Sequence, residues 1–155
     1  MLHIHVIGKQ DARLPTVRQL FREYNDHLGF DLCFQNFDEE MASLPGRYAA
    51  PDGRLYLGLV DEQPAACGAF YKLEEGICEL KRLYVCPPFK GKGYGRTLLE
   101  RAMADAKAAG YHTMRLDSLH RLKDARKLYE KYGFYDIEPY NKNPYDDVYY
   151  MECRL

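Results

Sequence analysis

Three strand-like runs follow one another closely, and then the period of the chain changes. Arg54 to Asp61, Ala65 to Leu73 and Ile77 to Val85 read as strands. Their separators, Asp61-Glu62-Gln63-Pro64 and Glu74-Glu75-Gly76, are short enough for antiparallel hairpins. The stretch FKGKGYGRTLLE, Phe89 to Glu100, comes next and sets Gly91, Gly93 and Gly95 at alternate positions. Beyond it Leu98, Leu99, Ala102, Met103 and Ala106 line one helical face, and Gly110 supplies a stop. Such a chain needs a sheet with helices against it.

The flanks fit this frame. Leu2 to Ile7 reads as a strand, with Leu2, Ile4 and Val6 on one face and His3 and His5 on the other. Pro15 to His27 reads as a helix that buries Val17, Leu20, Phe21, Tyr24 and Leu28. Asp38 is a candidate N-cap for a short helix through Leu44, ended by Pro45-Gly46. His112 to Leu116 is a strand, Asp124 to Tyr132 a helix, and Phe134 to Glu138 and Val148 to Arg154 two closing strands. The expected fold class is α/β, with a mixed, mostly antiparallel sheet of about seven strands and about four helices in one domain over residues 1–155.

Charge excludes some partners. Lys and Arg total 22 against 23 Asp and Glu, so a net charge of -1 gives no global pull toward nucleic acid or membrane. The cysteines at 33, 67, 78, 86 and 153 have no zinc-ligand or redox spacing, which suits reduced thiols in a cytoplasmic protein. His3 and His5 have no acidic or cysteine partner nearby and suit a solvated strand face, so no metal is expected.

The glycine stretch reads as a phosphate cradle, the plainer alternative being a glycine-rich strand-to-helix turn with solvated lysines. A helix N-terminus presents unpaired N–H groups and a positive dipole end. Glycines let backbone approach a ligand, and Lys90, Lys92 and Arg96 add charge. It is not a P-loop, because no Gly-Lys-Ser/Thr follows. It is not a dinucleotide fingerprint either, since the third glycine is misplaced and the unit follows antiparallel strands.

The spacing Lys90-x-x-Gly93-x-Gly95 resembles the (Gln/Arg)-x-x-Gly-x-(Gly/Ala) signature of the GNAT N-acetyltransferases. CELKRLYV before it and LYEKYGF, Leu128 to Phe134, after it are similar to the segments that flank the signature in that family. Lys90 stands where the family usually has Gln or Arg, and Lys123-Asp124 where many members carry Asn. The resemblance implies splayed central strands that hold acetyl-CoA. Its pantetheine arm would pair with Leu83, Tyr84 and Val85. Its pyrophosphate would lie on Lys90, Gly91, Lys92, Gly93, Tyr94, Gly95 and Arg96, with Thr97 nearby. The implied activity is acetyl transfer to a primary amine, carried by a small molecule or a peptide. The alternative is a non-catalytic acyl-CoA-binding module.

Direct attack of an amine on a thioester needs the amine deprotonated, the carbonyl polarised and the leaving thiolate protonated. Tyr129, in the LYEKYGF segment, aligns with the family's general acid, and Glu79 with the glutamate that some members use as base. A backbone N–H near Val85 would polarise the carbonyl. Spacing alone favours Tyr129 as a core residue, and Glu79 is equally a strand carboxylate paired with Lys81 or Arg82 or facing solvent. Asp117, Ser118 and His120 are too local to form a hydrolase triad and should end a strand near the slot, with His120 an alternative base. Asp31, Asp38, Glu39 and Glu40 could draw a cationic acceptor, and Phe30, Phe34 and Phe37 could wall its pocket, though helix-end charge and core packing explain them too. The tyrosine-rich tail could line that pocket or an interface, and a homodimer is one assembly it allows.

Overall fold

The computed structural model describes residues 1–28, 37–143 and 145–155. Its elements run β1 (His3–Val6), α1 (Leu14–Leu28), α2 (Phe37–Ser43), β2 (Arg54–Val60), β3 (Gln63–Glu74), β4 (Ile77–Val85), α3 (Tyr94–Ala108), β5 (Thr113–Leu119), α4 (Lys123–Lys131), β6 (Tyr135–Asp136) and β7 (Val148–Arg154). The strands form one seven-stranded sheet in the order β1-β2-β3-β4-β5-β7-β6. Every neighbouring pair is antiparallel except β4 and β5, which α3 connects as a parallel crossover. The expected α/β class, strand content and helix content hold.

Each face of the sheet buries its own core. On one side Val17, Leu20 and Phe21 of α1 and Phe37 and Met41 of α2 meet Leu55, Leu57 and Tyr84. On the other, Leu98, Leu99, Ala102 and Ala106 of α3 meet Tyr56, Phe70, Leu80 and Met114. The Tyr56 hydroxyl donates to Asp105 at 2.7 Å and fixes α3 against β2. Four cysteines, Cys67, Cys78, Cys86 and Cys153, are free and buried. Cys33 lies outside the described residues.

Several boundaries move for identifiable reasons. Ile7 is buried while Val6 is exposed, so β1 does not present Val6 with Leu2 and Ile4 as its alternation suggests. The expected cap Asp38 sits inside α2, after the buried Phe37. β5 continues to Leu119, because Asp117, Ser118 and Leu119 pair with Tyr150, Tyr149 and Val148 of β7. β6 shrinks to Tyr135–Asp136, which pair with Glu152 and Met151 of β7, although the Ile137 N–H still reaches the Tyr150 carbonyl at 2.9 Å.

One irregularity decides where the sheet opens. Ala69 lies opposite Lys81 and Cys67 opposite Tyr84, so Gly68 alone faces both Arg82 and Leu83. β4 therefore carries a bulge, and Arg82 takes a left-handed φ of 59°. A side chain in that region costs about 1–2 kcal/mol. The Arg82 guanidinium is buried and grips Glu40 of α2 with two bonds, both 3.0 Å, which offsets that strain.

Candidate active site

β4 and β5 pair only at Ile77–Thr113, Cys78–Met114 and Glu79–Arg115. Beyond those pairs they diverge at the bulge, and the end of β4 loses its neighbour on that side. The Cys86 N–H reaches back to the Ala65 carbonyl at 2.8 Å. By the alternation of an antiparallel ladder, the Val85 N–H and C=O then point away from β3, into the gap. An extended chain laid there would find strand-like partners.

The gap widens into a groove of about 430 Å³. Leu83, Tyr84 and Val85 form one wall, and Phe89, Lys90, Gly91, Gly93, Tyr94 and Gly95 form the end. Arg121 to Ala125, with Leu128 and Tyr129, form the far wall at the start of α4. Gly91 and Gly93 both have φ of +81°, a conformation that side chains rarely adopt, and Gly93 caps α3. The first bond inside α3 runs from the Thr97 N–H to the Gly93 carbonyl at 3.1 Å. The N–H groups of Tyr94, Gly95 and Arg96 precede it and are left for a ligand. A Cβ at Gly95 would stand 3.5 Å from Val85 Cγ2 and 3.9 Å from Leu128 Cδ2. The groove thus passes within one methyl group of the helix backbone.

Most of the expected cofactor residues border this groove, but Lys92, Arg96 and Thr97 do not. Arg96 lies near Glu100 at 3.8 Å, and the Thr97 hydroxyl is spent on the Gly93 carbonyl at 3.0 Å. Tyr24, Phe89, Arg121 and Leu122 also border it, without a sequence signal that marks them for the groove. Tyr24 is expected as a core position of α1, and nothing in sequence separates a core tyrosine from one at a cavity rim.

A second, smaller cavity of about 50 Å³ continues the gap between the parted strands. It is bordered by Lys81, Arg82, Leu116, Asp117 and Ser118 among others. The two cavities share Tyr24, Leu83 and Tyr129. Tyr129 thus stands where groove and slot meet. Its ring packs on Phe134 with centroids 5.6 Å apart, and Arg126 ties α4 to Asp136 with bonds of 3.1 and 2.8 Å. Burial pushes the Tyr129 phenol well up, helped by the neighbouring hydroxyls of Tyr24 and Tyr149, so it keeps its proton at neutral pH. That is the state a proton donor requires.

Glu79 lies deeper, inside a buried network. Its Oε1 accepts from Tyr71 Oη at 3.0 Å and pairs with Lys81 Nζ at 2.9 Å. Lys81 also pairs with Asp117 Oδ1 at 3.1 Å, and Asn141 donates to Asp117 Oδ2 at 3.0 Å. Tyr150 Oη in turn donates to Asn141 Oδ1 at 2.8 Å. The Tyr140 hydroxyl is buried beside Glu79 without a sound hydrogen bond among the described residues. Burial opposes the Lys81 charge, but Asp117 and Glu79 together raise its pKa above the usual lysine range. Burial likewise opposes the Asp117 charge, and Lys81 with Asn141 holds its carboxyl below the usual range all the same.

The remaining candidates separate. His120 packs its ring on Tyr149, 5.1 Å between centroids, and does not border the slot. Glu40 is committed to Arg82, with Arg47 adding a looser contact at 3.5 Å, while Asp38 and Glu39 are exposed. Phe37 belongs to the core. Phe30, Asp31 and Phe34 lie outside the described residues. Among the described residues no cluster of three or more metal-ligating side chains occurs, and no helix is long and apolar enough to cross a membrane.

Comparison with known proteins follows the same lines. Residues 14–134 match the model of the acetyltransferase (GNAT) family. An uncharacterised N-acetyltransferase of Schizosaccharomyces pombe is 37% identical over 92% of this chain and 88% of its own. One from Dictyostelium discoideum is 30% identical over 92% of this chain and 95% of its own. A GNAT acetyltransferase from Elizabethkingia anophelis, solved with acetyl-CoA bound, superposes with a TM-score of 0.70 at 18% identity over 99% of this chain and 98% of its own.

Proposed function

The chain belongs to the GNAT acetyltransferase family, and from that premise we propose that it moves an acetyl group from acetyl-CoA to a primary amine by direct attack. One observation carries this reading: β4 and β5 part beside the glycine N-terminus of α3, with Tyr129 at the junction of groove and slot. The groove suits the donor. The free N–H groups at the start of α3 fit a pyrophosphate, with Lys90 at the rim, and the unpaired edge of β4 fits an amide-bearing arm. Lys92, Arg96 and Thr97 would then act through backbone or field rather than as groove walls.

Acetyl-CoA supplies the activated acyl carbon. A C–N bond forms and the C–S bond breaks; the nitrogen gives up a proton and the sulfur gains one. Tyr129 holds the proton for the sulfur. The Val85 N–H, which by strand alternation faces the gap, would polarise the carbonyl. We assign deprotonation of the amine to the network of Glu79, Lys81 and Asp117: Lys81, which borders the slot, passes a proton to Glu79, which borders neither cavity, and takes the amine's proton in its place. A purified sample offered acetyl-CoA and a panel of primary amines should release free CoA thiol with at least one of them. Tight acetyl-CoA binding with no thiol release across a wide panel would favour the non-catalytic alternative.

A further inference from the structure

Acetyl transfer leaves its protons in two places. The amine's proton arrives on Lys81 at the slot, and Tyr129 loses one to sulfur where slot and groove meet. The slot cluster is balanced before the reaction: Lys81, Arg82 and Arg47 stand against Glu79, Asp117 and Glu40. Lys81 and Glu79 expose 8% and 2% of their side chains, so an added proton there is an unmatched buried charge. Burial also opposes a phenolate at Tyr129. A path that carries one proton from Lys81 to Tyr129 removes both costs.

Among the described residues Tyr24, Leu83 and Tyr129 alone border both cavities, and Leu83 carries no transferable proton. Tyr24 comes from α1, on the opposite side of the gap from α4. Its ring is held against Tyr84, centroids 5.6 Å apart, and its hydroxyl makes no hydrogen bond among the described residues. We propose that Tyr24 is a proton relay: its hydroxyl restores the proton that Tyr129 gives to sulfur and is itself restored from Lys81. The protons balance. Tyr129 protonates the sulfur, Tyr24 protonates the Tyr129 oxygen, the Lys81 ammonium protonates the Tyr24 oxygen, and Glu79 returns to Lys81 the proton it had taken. The net result moves the amine's proton to the thiol and leaves every side chain as it began. The direction also suits the surroundings. Burial raises both phenols, but Arg82 and Lys81 oppose that rise at Tyr24, whereas Tyr24, Tyr149 and Asp117 add to it at Tyr129. The inference rests on the acetyltransferase reading above.

The test is a double-mutant cycle. Wild type, Tyr24→Phe, Tyr129→Phe and the double variant are compared by thiol release from acetyl-CoA with the fastest amine of the panel. Tyr24→Phe keeps the ring against Tyr84, so it should melt within about 2 °C of wild type and bind acetyl-CoA within about 2-fold. Its kcat should fall by about 10-fold or more, with the amine KM little changed. Because Tyr24 acts through Tyr129, adding Tyr24→Phe to Tyr129→Phe should cost less than about 2-fold further. An unchanged kcat in Tyr24→Phe, a loss confined to KM, or the same loss in both backgrounds overturns the relay and leaves the acetyltransferase reading intact. Wild-type turnover in Tyr129→Phe overturns it too, since the relay then has nothing to restore. A folded wild type that releases no thiol with any amine overturns both.

Discussion

Replacing Lys81 by Met removes the one cation that Glu79 and Asp117 share. Breaking a buried ion pair from one side costs about 3–5 kcal/mol, because a charge is left without partner or water. Here two carboxylates lose the same partner, from bonds of 2.9 and 3.1 Å, so the upper half of that range applies. For a chain of this length that lowers Tm by roughly 10 °C or more. The pH dependence is the sharper readout. In the wild type the Asp117 carboxyl is held low, so its stabilisation is present above the unfolded pKa and lost as pH falls through the folded one. In Lys81→Met the same carboxyl is buried without a counter-charge, and its folded pKa should rise above the unfolded value. Stability then increases as pH falls from neutral toward about 5, and the gap to wild type narrows. Calorimetric or fluorescence melts at about pH 5 and 8 read this directly. A Tm loss under about 2 °C, or a loss equal at both pH values, would refute the account of the network.

Other substitutions probe the groove and the chemistry. Tyr129→Phe should cut turnover by about 100-fold or more while acetyl-CoA affinity stays near wild type; unchanged turnover removes its role as proton donor. Glu79→Gln should abolish the acidic limb of the pH–rate profile, and a profile matching wild type would take the base role from Glu79. Gly93→Asp places both a strained φ and a carboxylate at the cap of α3, and should weaken acetyl-CoA by at least about 100-fold without unfolding the domain. Gly95→Ala has room for its Cβ and should fold normally, so titrating it alongside separates groove crowding from a folding defect.

The residues that follow local rules were readable and those that depend on long-range contact were not. β4 and β7 keep their expected limits because their alternation and their flanking turns agree. β5 ran longer than expected because Asp117 and Ser118 look like strand-ending polar residues, yet a full ladder with β7 and the slot take them up. The glycine turn at the start of α3 was legible, since closely spaced glycines between a strand-like and a helix-like run mark a strand-to-helix turn. The bulge at Arg82 was not, because no residue in LKRLYV signals a left-handed φ, and the contact that offsets it comes from Glu40 on another helix. The same holds for Lys81 and Asp117, which are 36 residues apart in sequence and 3.1 Å apart in space. Tyr129 illustrates both sides: helical spacing made it a core residue, the motif made it an acid, and its position is buried and at the slot together.

The central claim is that the groove beside α3 holds the acyl donor. Calorimetric titration of the purified chain with acetyl-CoA, in parallel with Gly93→Asp, tests it most directly. Saturable one-to-one binding to the wild type, lost in a Gly93→Asp variant that still melts cooperatively, is the predicted result. Absence of binding to the folded wild type, or equal binding to both, would contradict it.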